Sequence, residues 1–388
     1  MDYLGISQER LVAMGGQCTA REIAQQPTVW ARVQQFIAGD ADALRGFLDP
    51  LLRRQELRVV LTGAGTSALV GECVAPALAR KSGLRVDAVS TTDLVACPES
   101  WLVRKVPTLL VSFARSGNSP ESAAALAVAE QCVEECHHLI VTCNSEGALF
   151  RVGQSMRNTH RILLPEESND RGFAMTSSFS ALLLATALTF RLIESDTEGP
   201  AQLALWAGGV LASRLPLIQS LASAGFERIV YLGSNALKGL AREAALKTLE
   251  LSDGRVVSIA DTPLGFRHGP KTIVNGRTLV VLFLGNDPYT RRYEIDLLKE
   301  LRADGVAGRV LALTAQSDRG TEHADDVALP CALAACDLAL CFPYAVFAQC
   351  LAFLQSLSLG LRPDVPNARG IVHRVVQGVI IYPWSPSR

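Results

Sequence analysis

The sequence predicts an α/β protein built twice over, each half a doubly wound parallel sheet flanked by helices as an α-β-α sandwich. Three observations predict it. Short runs rich in Val, Ile and Leu are apolar throughout rather than alternating, as strands buried on both faces require. Ala- and Leu-rich stretches of helical length separate these runs. The order of runs also recurs after about 170 residues, a spacing that means duplicated domains rather than a short-period solenoid. A length of 388 residues suits two domains at ~100–200 residues each.

The elements follow in order. Residues 1 to about 45 read as a polar helical segment. Arg58-Val59-Val60-Leu61 then runs into Gly63-Ala64-Gly65-Thr66-Ser67, and Arg228-Ile229-Val230-Tyr231-Leu232 runs into Gly233-Ser234-Asn235. Thr108 to Phe113 has its counterpart in Thr278 to Phe283, Leu139 to Thr142 in Val310 to Thr314, and Arg161 to Pro165 in Asp326 to Pro330. Ser119 to Cys136 and Ala236 to Leu251 have the length and composition of helices between strands. Each copy closes with an uncharged stretch, Gly172 to Phe190 and Leu338 to Leu361. Ser195 to about Pro200 carries Ser, Asp, Thr, Glu, Gly and Pro and reads as the linker. The expected division is 1–45, 46–198 and 199–388, the last including a C-terminal tail.

Composition excludes several function classes. Hydrophobic residues make up 49% and charged residues 19%, which supports a large core and argues against disorder. Lys plus Arg is 37 and Asp plus Glu is 38, a net charge of −1 with no block of like charge, so no nucleic-acid partner is expected. The two uncharged stretches reach the ~20 residues that span a bilayer. The first carries Thr176, Ser177, Ser178, Ser180, Thr186 and Thr189, and the second Pro343, Gln349, Gln355, Ser356 and Ser358. Neither has basic residues on one flank or an aromatic belt, so buried helices and no membrane partner are expected.

The ten cysteines form no C-x-x-C pair, and Met1 to Arg10 has no apolar segment of the secretory kind, so the expected location is the reduced cytoplasm. Cys132, Cys136, His137 and His138 raise a metal question. Cys132 and Cys136 lie one helical turn apart, but the adjacent histidines point in different directions. A helix end entering a strand is the simpler reading, and no metal site is expected.

Ligands of open parallel sheets bind at the carboxyl ends of strands. Two loops there are rich in small and hydroxyl residues: Gly63-Ala64-Gly65-Thr66-Ser67 and Ala114-Arg115-Ser116-Gly117-Asn118-Ser119. Backbone N–H groups at a helix N-terminus suit an anion, most simply a phosphate. Gly63-x-Gly65-x-x-Ala68, with Asp87 nineteen residues beyond, also fits a dinucleotide fingerprint, and a plain strand-to-helix turn is the bland alternative. The second Ser-rich loop favours a compact phosphate gripped from two sides. In the second copy, Glu243, Lys247 and Glu250 are spaced i, i+4, i+7 on one helical face. That spacing fits a solvated surface stripe as well as a site. His268, in Gly265-Phe266-Arg267-His268-Gly269-Pro270, is either a loop histidine or a proton carrier. A carboxylate and a histidine beside a phosphate site suggest proton shuttling on a phosphorylated small molecule.

These residues resemble the sugar isomerase (SIS) phosphosugar-binding family, in two tandem copies that cover nearly the whole chain. Gly65-Thr66-Ser67, Ser116-Gly117-Asn118-Ser119 and Arg267-His268-Gly269-Pro270 carry the likeness together. Ala241 through Glu250 and the His-Gly-Pro loop look like the isomerase half of glucosamine-6-phosphate synthase. Ser168-Asn169-Asp170-Arg171, Met175-Thr176-Ser177-Ser178-Phe179 and Arg374-Val375-Val376-Gln377-Gly378 extend the likeness to the branch of bacterial galactosamine-6-phosphate deaminase/isomerases, also called tagatose-6-phosphate ketose/aldose isomerases.

The resemblance implies five-stranded sheets and roles for single residues. Gly65, Thr66, Ser67, Ser116 and Ser119 would hold the phosphate, with Arg115 nearby. Glu250 would move a proton between C1 and C2, Glu243 and Lys247 would orient it, and His268 would open the sugar ring, donated by a partner subunit as in relatives. It implies no cofactor, a phosphorylated amino sugar or ketose as partner, and a homodimer or higher homo-oligomer with shared sites. The synthase carries an N-terminal glutaminase domain; here some 45 residues precede the first strand, so deamination of galactosamine 6-phosphate to a tagatose phosphate is the expected direction. The synthase also has a glutamate where this chain has Gly265, and a tail lysine where this chain has Gln377. The competing readings are a non-catalytic phosphosugar regulator and an etherase of the same fold.

Overall fold

The structure, a computed structural model, describes residues 2–194, 196–315, 323–329 and 334–385. Of the sequence features above, Ser195 of the linker, Pro330 and Cys331 lie outside the described residues. The chain folds as two units, each built on one of the two parallel five-stranded sheets that the sequence predicts.

The first unit takes Val29–Asp170, Ser177–Leu192 and the segment from Gly370 onward. Its strands are β1 (Arg58–Thr62), β2 (Arg85–Ala88), β3 (Thr108–Ala114), β4 (Cys136–Thr142) and β5 (Thr159–Leu163). They lie in the order β2-β1-β3-β4-β5, all parallel. Every residue of β1 and β3 is buried, which is why Val59–Leu61 and Leu109–Val111 read as apolar runs without alternation. The edge strand β2 is half exposed and polar, and its Asp87 pairs with Arg58 at 2.6 Å and Arg85 at 3.0 Å. The helix Ser177–Thr189 is buried along its length and packs on the helix Thr66–Ser82.

The second unit takes the residues up to Thr28, Arg171–Thr176 and Ile193–Arg369. Its strands are β6 (Arg228–Leu232), β7 (Val257–Asp261), β8 (Thr278–Phe283), β9 (Arg309–Thr314) and β10 (Asp326–Ala328), in the order β7-β6-β8-β9-β10. The order repeats that of the first sheet, strand for strand. The helix Asp337–Ser358 is long and apolar enough to cross a membrane, yet 94% of its most apolar window is buried inside this unit. It packs on Ala236–Leu251, Pro200–Ser213 and Leu215–Ser223, so its lack of charge serves a protein core.

The C-terminal segment groups with the first sheet and the first 28 residues with the second. Two features depart from the sequence reading. The helix of the first copy is Pro120–Cys132, with proline at its first position as a helix start favours. Cys136 therefore opens β4 instead of sitting a helical turn from Cys132.

Candidate active site

In a sheet of order 2-1-3-4-5 the chain reverses direction between strands 1 and 3, and the crevice at their carboxyl ends is where such sheets bind ligands. The two Ser-rich loops leave those two strands. Gly65 caps the helix Thr66–Ser82 at φ 55°, ψ −130°, a conformation that suits a residue without Cβ. Thr66 and Ser67 begin the helix and are buried, so their N–H groups and hydroxyls share the positive end of its dipole.

The second loop is held open by its own hydrogen bonds. Asn144 Nδ2 donates to the Ser116 carbonyl at 2.8 Å, Leu149 N to the Gly117 carbonyl at 2.9 Å, and Ala148 N to Asn118 Oδ1 at 3.0 Å. Ser119 Oγ lies 2.6 Å from Ser122 Oγ. Arg115 is buried, and its Nη2 donates to the Arg374 carbonyl at 2.6 Å. The Arg374 guanidinium donates in turn to the Asp170 carbonyl. Asp170 is buried and accepts from Ser177 N at 3.1 Å and Ser178 N at 2.9 Å, capping the helix Ser177–Thr189. Asp170 and Arg374 sit in motifs visible in the sequence, but their pairing joins residues some 200 positions apart, which no local pattern shows. The Asp87 of the dinucleotide fingerprint is engaged by two arginines.

The second unit carries the same loops with different chemistry. Asn235 caps the helix Ala236–Leu251 at φ 50°, ψ −125°, the turn that Gly65 makes in the first copy. Ala236 and Leu237 stand where Thr66 and Ser67 stand, so the hydroxyls are gone. Glu294 is buried behind the loop after β8 and accepts from Gly285 N at 2.9 Å. Burial pushes its carboxyl up to about 7, against the pull of the Gly285 N–H and the Ser234 hydroxyl.

The helix Ala236–Leu251 supplies the charges. Glu243 and Lys247 are buried, which excludes the surface-stripe reading of their spacing. Lys247 Nζ lies 3.5 Å from Glu243 Oε1 and donates to Glu250 Oε2. Of the three side chains Glu250 reaches solvent, at 27% exposure against 2% and 1%.

His268 lies in the loop between Pro263–Phe266 and Pro270–Ile273, is exposed, and has no side-chain partner among the described residues. Its neighbours are tied down on both sides. Arg267 pairs with Glu300 at 2.8 Å and Asp296 at 2.9 Å, and Lys271 pairs with Glu300 and with Asp304 at 2.5 Å. Lys271 and Arg267 hold the Glu300 carboxyl below the usual range. At Gly265 an added Cβ would meet Asp261 Oδ1 at 2.6 Å, so the Asp261 carboxylate fills the space a side chain there would need.

Comparison with known proteins gives one consistent result. A family model described as the SIS domain matches residues 51–192. D-galactosamine-6-phosphate deaminase AgaS of Escherichia coli is 45% identical over 374 residues, covering 96% of this chain and 97% of its own length. A Streptomyces coelicolor relative, provisionally given the same name, is 49% identical over 377 residues, covering 94% of this chain and 95% of its own. The crystal structure of tagatose-6-phosphate ketose/aldose isomerase from Escherichia coli superposes with a TM-score of 0.88 at 43% identity, covering 96% of this chain and 98% of that one.

Proposed function

The chain belongs to the SIS-domain family of D-galactosamine-6-phosphate deaminases, and from that premise we propose that it is a deaminating aldose–ketose isomerase, taking D-galactosamine 6-phosphate and water to tagatose 6-phosphate and ammonia. The ring-opened substrate has an aldehyde at C1 and an amine at C2. Moving the C2 proton to C1 through an enolamine leaves an imine at C2. Water adds to that imine and ammonia leaves, so atoms balance and no oxidation occurs.

Glu250 is the base that moves the proton. The observation that carries this role is the charge group on the helix Ala236–Leu251: a buried lysine between two glutamates, with Glu250 open to solvent. Lys247 holds and aims Glu250, and Glu243 fixes Lys247 from the other side. His268 opens the sugar ring. The substrate phosphate is held by Thr66, Ser67, Ser116 and Ser119 with the N–H groups of their loops from Gly65 on, and Arg115 supplies positive charge. The assembly is a homo-oligomer to which the exposed His268 loop contributes, and light scattering that finds a lone 41.6 kDa particle removes that part of the reading.

The deciding experiment is ammonia release from the purified protein, with galactosamine 6-phosphate and glucosamine 6-phosphate given in parallel. Release from the first alone is the expected result. Release from the second alone overturns the C4 preference. Release from neither, with no ketose–aldose exchange of tagatose 6-phosphate, overturns the enzyme reading in favour of a phosphosugar sensor.

A further inference from the structure

We propose that Glu130, Cys136 and His138 form a binding site for a divalent transition metal of the zinc class, at the amino end of β4 and so at the opposite edge of the first sheet from the phosphate loops. Cys136 and His138 are two apart on a strand and face the same side of the sheet. Glu130, on the helix Pro120–Cys132, meets them there. One donor atom from each residue lies within 4.8 Å of those of the other two. A thiolate, an imidazole and a carboxylate are the donors zinc takes, and three protein ligands leave a fourth position for water. Glu130 is 43% exposed and opens a path to solvent.

Two observations set this trio apart from an ordinary buried polar pair. His138 is fully buried, and while its Nε2 lies 2.7 Å from Glu130 Oε1, its Nδ1 is buried without a hydrogen-bond partner among the described residues. Burying an imidazole with one ring nitrogen bare is costly, and a metal bound through Nε2 contributes free energy against that cost. The duplication supplies the control. His138 lies in register with Leu110, and Val310 lies in register with Val280, which is 170 residues from Leu110. The same place in the second copy is therefore filled by valine inside an apolar core, so the fold itself does not need a histidine. The sequence pattern pointed to Cys132 and His137 as well. The strand instead turns His137 to the other face, beside Glu135 at 3.2 Å and the Phe47 ring. Metal binding releases the thiol proton and the proton shared by His138 and Glu130 to solvent, with no redox change.

The test is a titration of the full chain, stripped by chelator, with Zn²⁺ against a chromophoric zinc indicator, and with Co²⁺ read by its absorption spectrum. The expected result is one equivalent per chain and a thiolate-to-cobalt charge-transfer band. Cys136→Ser loses that band, His138→Val abolishes binding, and Glu130→Gln weakens it by about 10–100-fold. Failure to compete with the indicator, or equal affinity in His138→Val, overturns the site. Should His138→Val not fold, the half-exposed Glu130→Gln decides: unchanged affinity there overturns the proposal.

Discussion

Gly65 and Asn235 make the same turn in the two copies, at φ/ψ of 55°/−130° and 50°/−125°. Backbone of this kind is cheap for glycine and strained by about 1–3 kcal/mol for a residue with a Cβ. Asn235→Gly removes that strain and costs about 0.5–1 kcal/mol in unfolded-chain entropy. The variant should gain roughly 1 kcal/mol and melt about 2–4 °C higher in a thermal scan. A lower melting temperature would mean that the Asn235 side chain, 3.4 Å from Thr290 Oγ1, contributes more than the turn costs.

Glu250→Gln keeps the shape of the side chain and its contact with Lys247 while removing the carboxylate proposed as the base. Loss of a general base costs about 10²–10⁴-fold in turnover. The expected outcome is that loss in kcat for ammonia release, with KM changed less than threefold. Turnover within a factor of ten of the parent would assign proton transfer to another group.

Lys247→Met acts on stability first. Two carboxylates contact this buried ammonium, and removing one partner of a buried charge group costs about 3–5 kcal/mol. Chemical denaturation should show that loss, and Glu243→Gln in the same chain should restore part of it. Such restoration marks the pair as coupled rather than additive. On the proposed mechanism the double variant should remain inactive, because Glu250 has lost its contact with Lys247.

The phosphate loops make a separate prediction. Thr66→Ala or Ser67→Ala removes a hydroxyl from the first turn of the helix Thr66–Ser82, and a hydrogen bond to a charged group is worth about 1.5–3 kcal/mol. KM for the sugar phosphate should rise by roughly 10–150-fold with melting temperature nearly unchanged. Equal effects on a substrate lacking the phosphate would show that these hydroxyls do not contact it.

The strands that were legible in the sequence are those whose position in the sheet leaves a mark. The central strands β1, β3 and β8 are buried on both faces, so each reads as an apolar run. The edge strand β7, Val257–Asp261, is partly exposed and leaves no such run, so no sequence pattern announces it. The site divides in the same way. Thr66, Ser67, Ser116 and Ser119 are visible because small and hydroxyl residues after a strand are a local signal. Nothing local separates a surface Glu–Lys stripe from a buried one. Lys247 is buried on a helix that packs against Asp337–Ser358, ninety residues further on, and the Arg115–Arg374 contact joins positions 259 apart.

Glu294 gives the fold a pH dependence whose sign can be worked out. Burial raises its carboxyl from 4.5 to about 7 in the folded chain. Below pH 4.5 both states hold the proton and stability is unaffected. Between 4.5 and 7 the unfolded chain releases the proton and the folded chain keeps it, so stability falls as pH rises. The slope is about 1.4 kcal/mol per pH unit and the total on the order of 3 kcal/mol, with no further change above 7. Glu294→Gln keeps an acceptor for the Gly285 N–H and cannot ionise. Denaturation midpoints at pH 5 and pH 8 should show the parent losing more stability than the variant over that interval. Parallel losses in the two proteins would mean that the unfolded and folded carboxyls titrate alike, and that the Gly285 and Ser234 hydrogen bonds fully offset the burial of the charge.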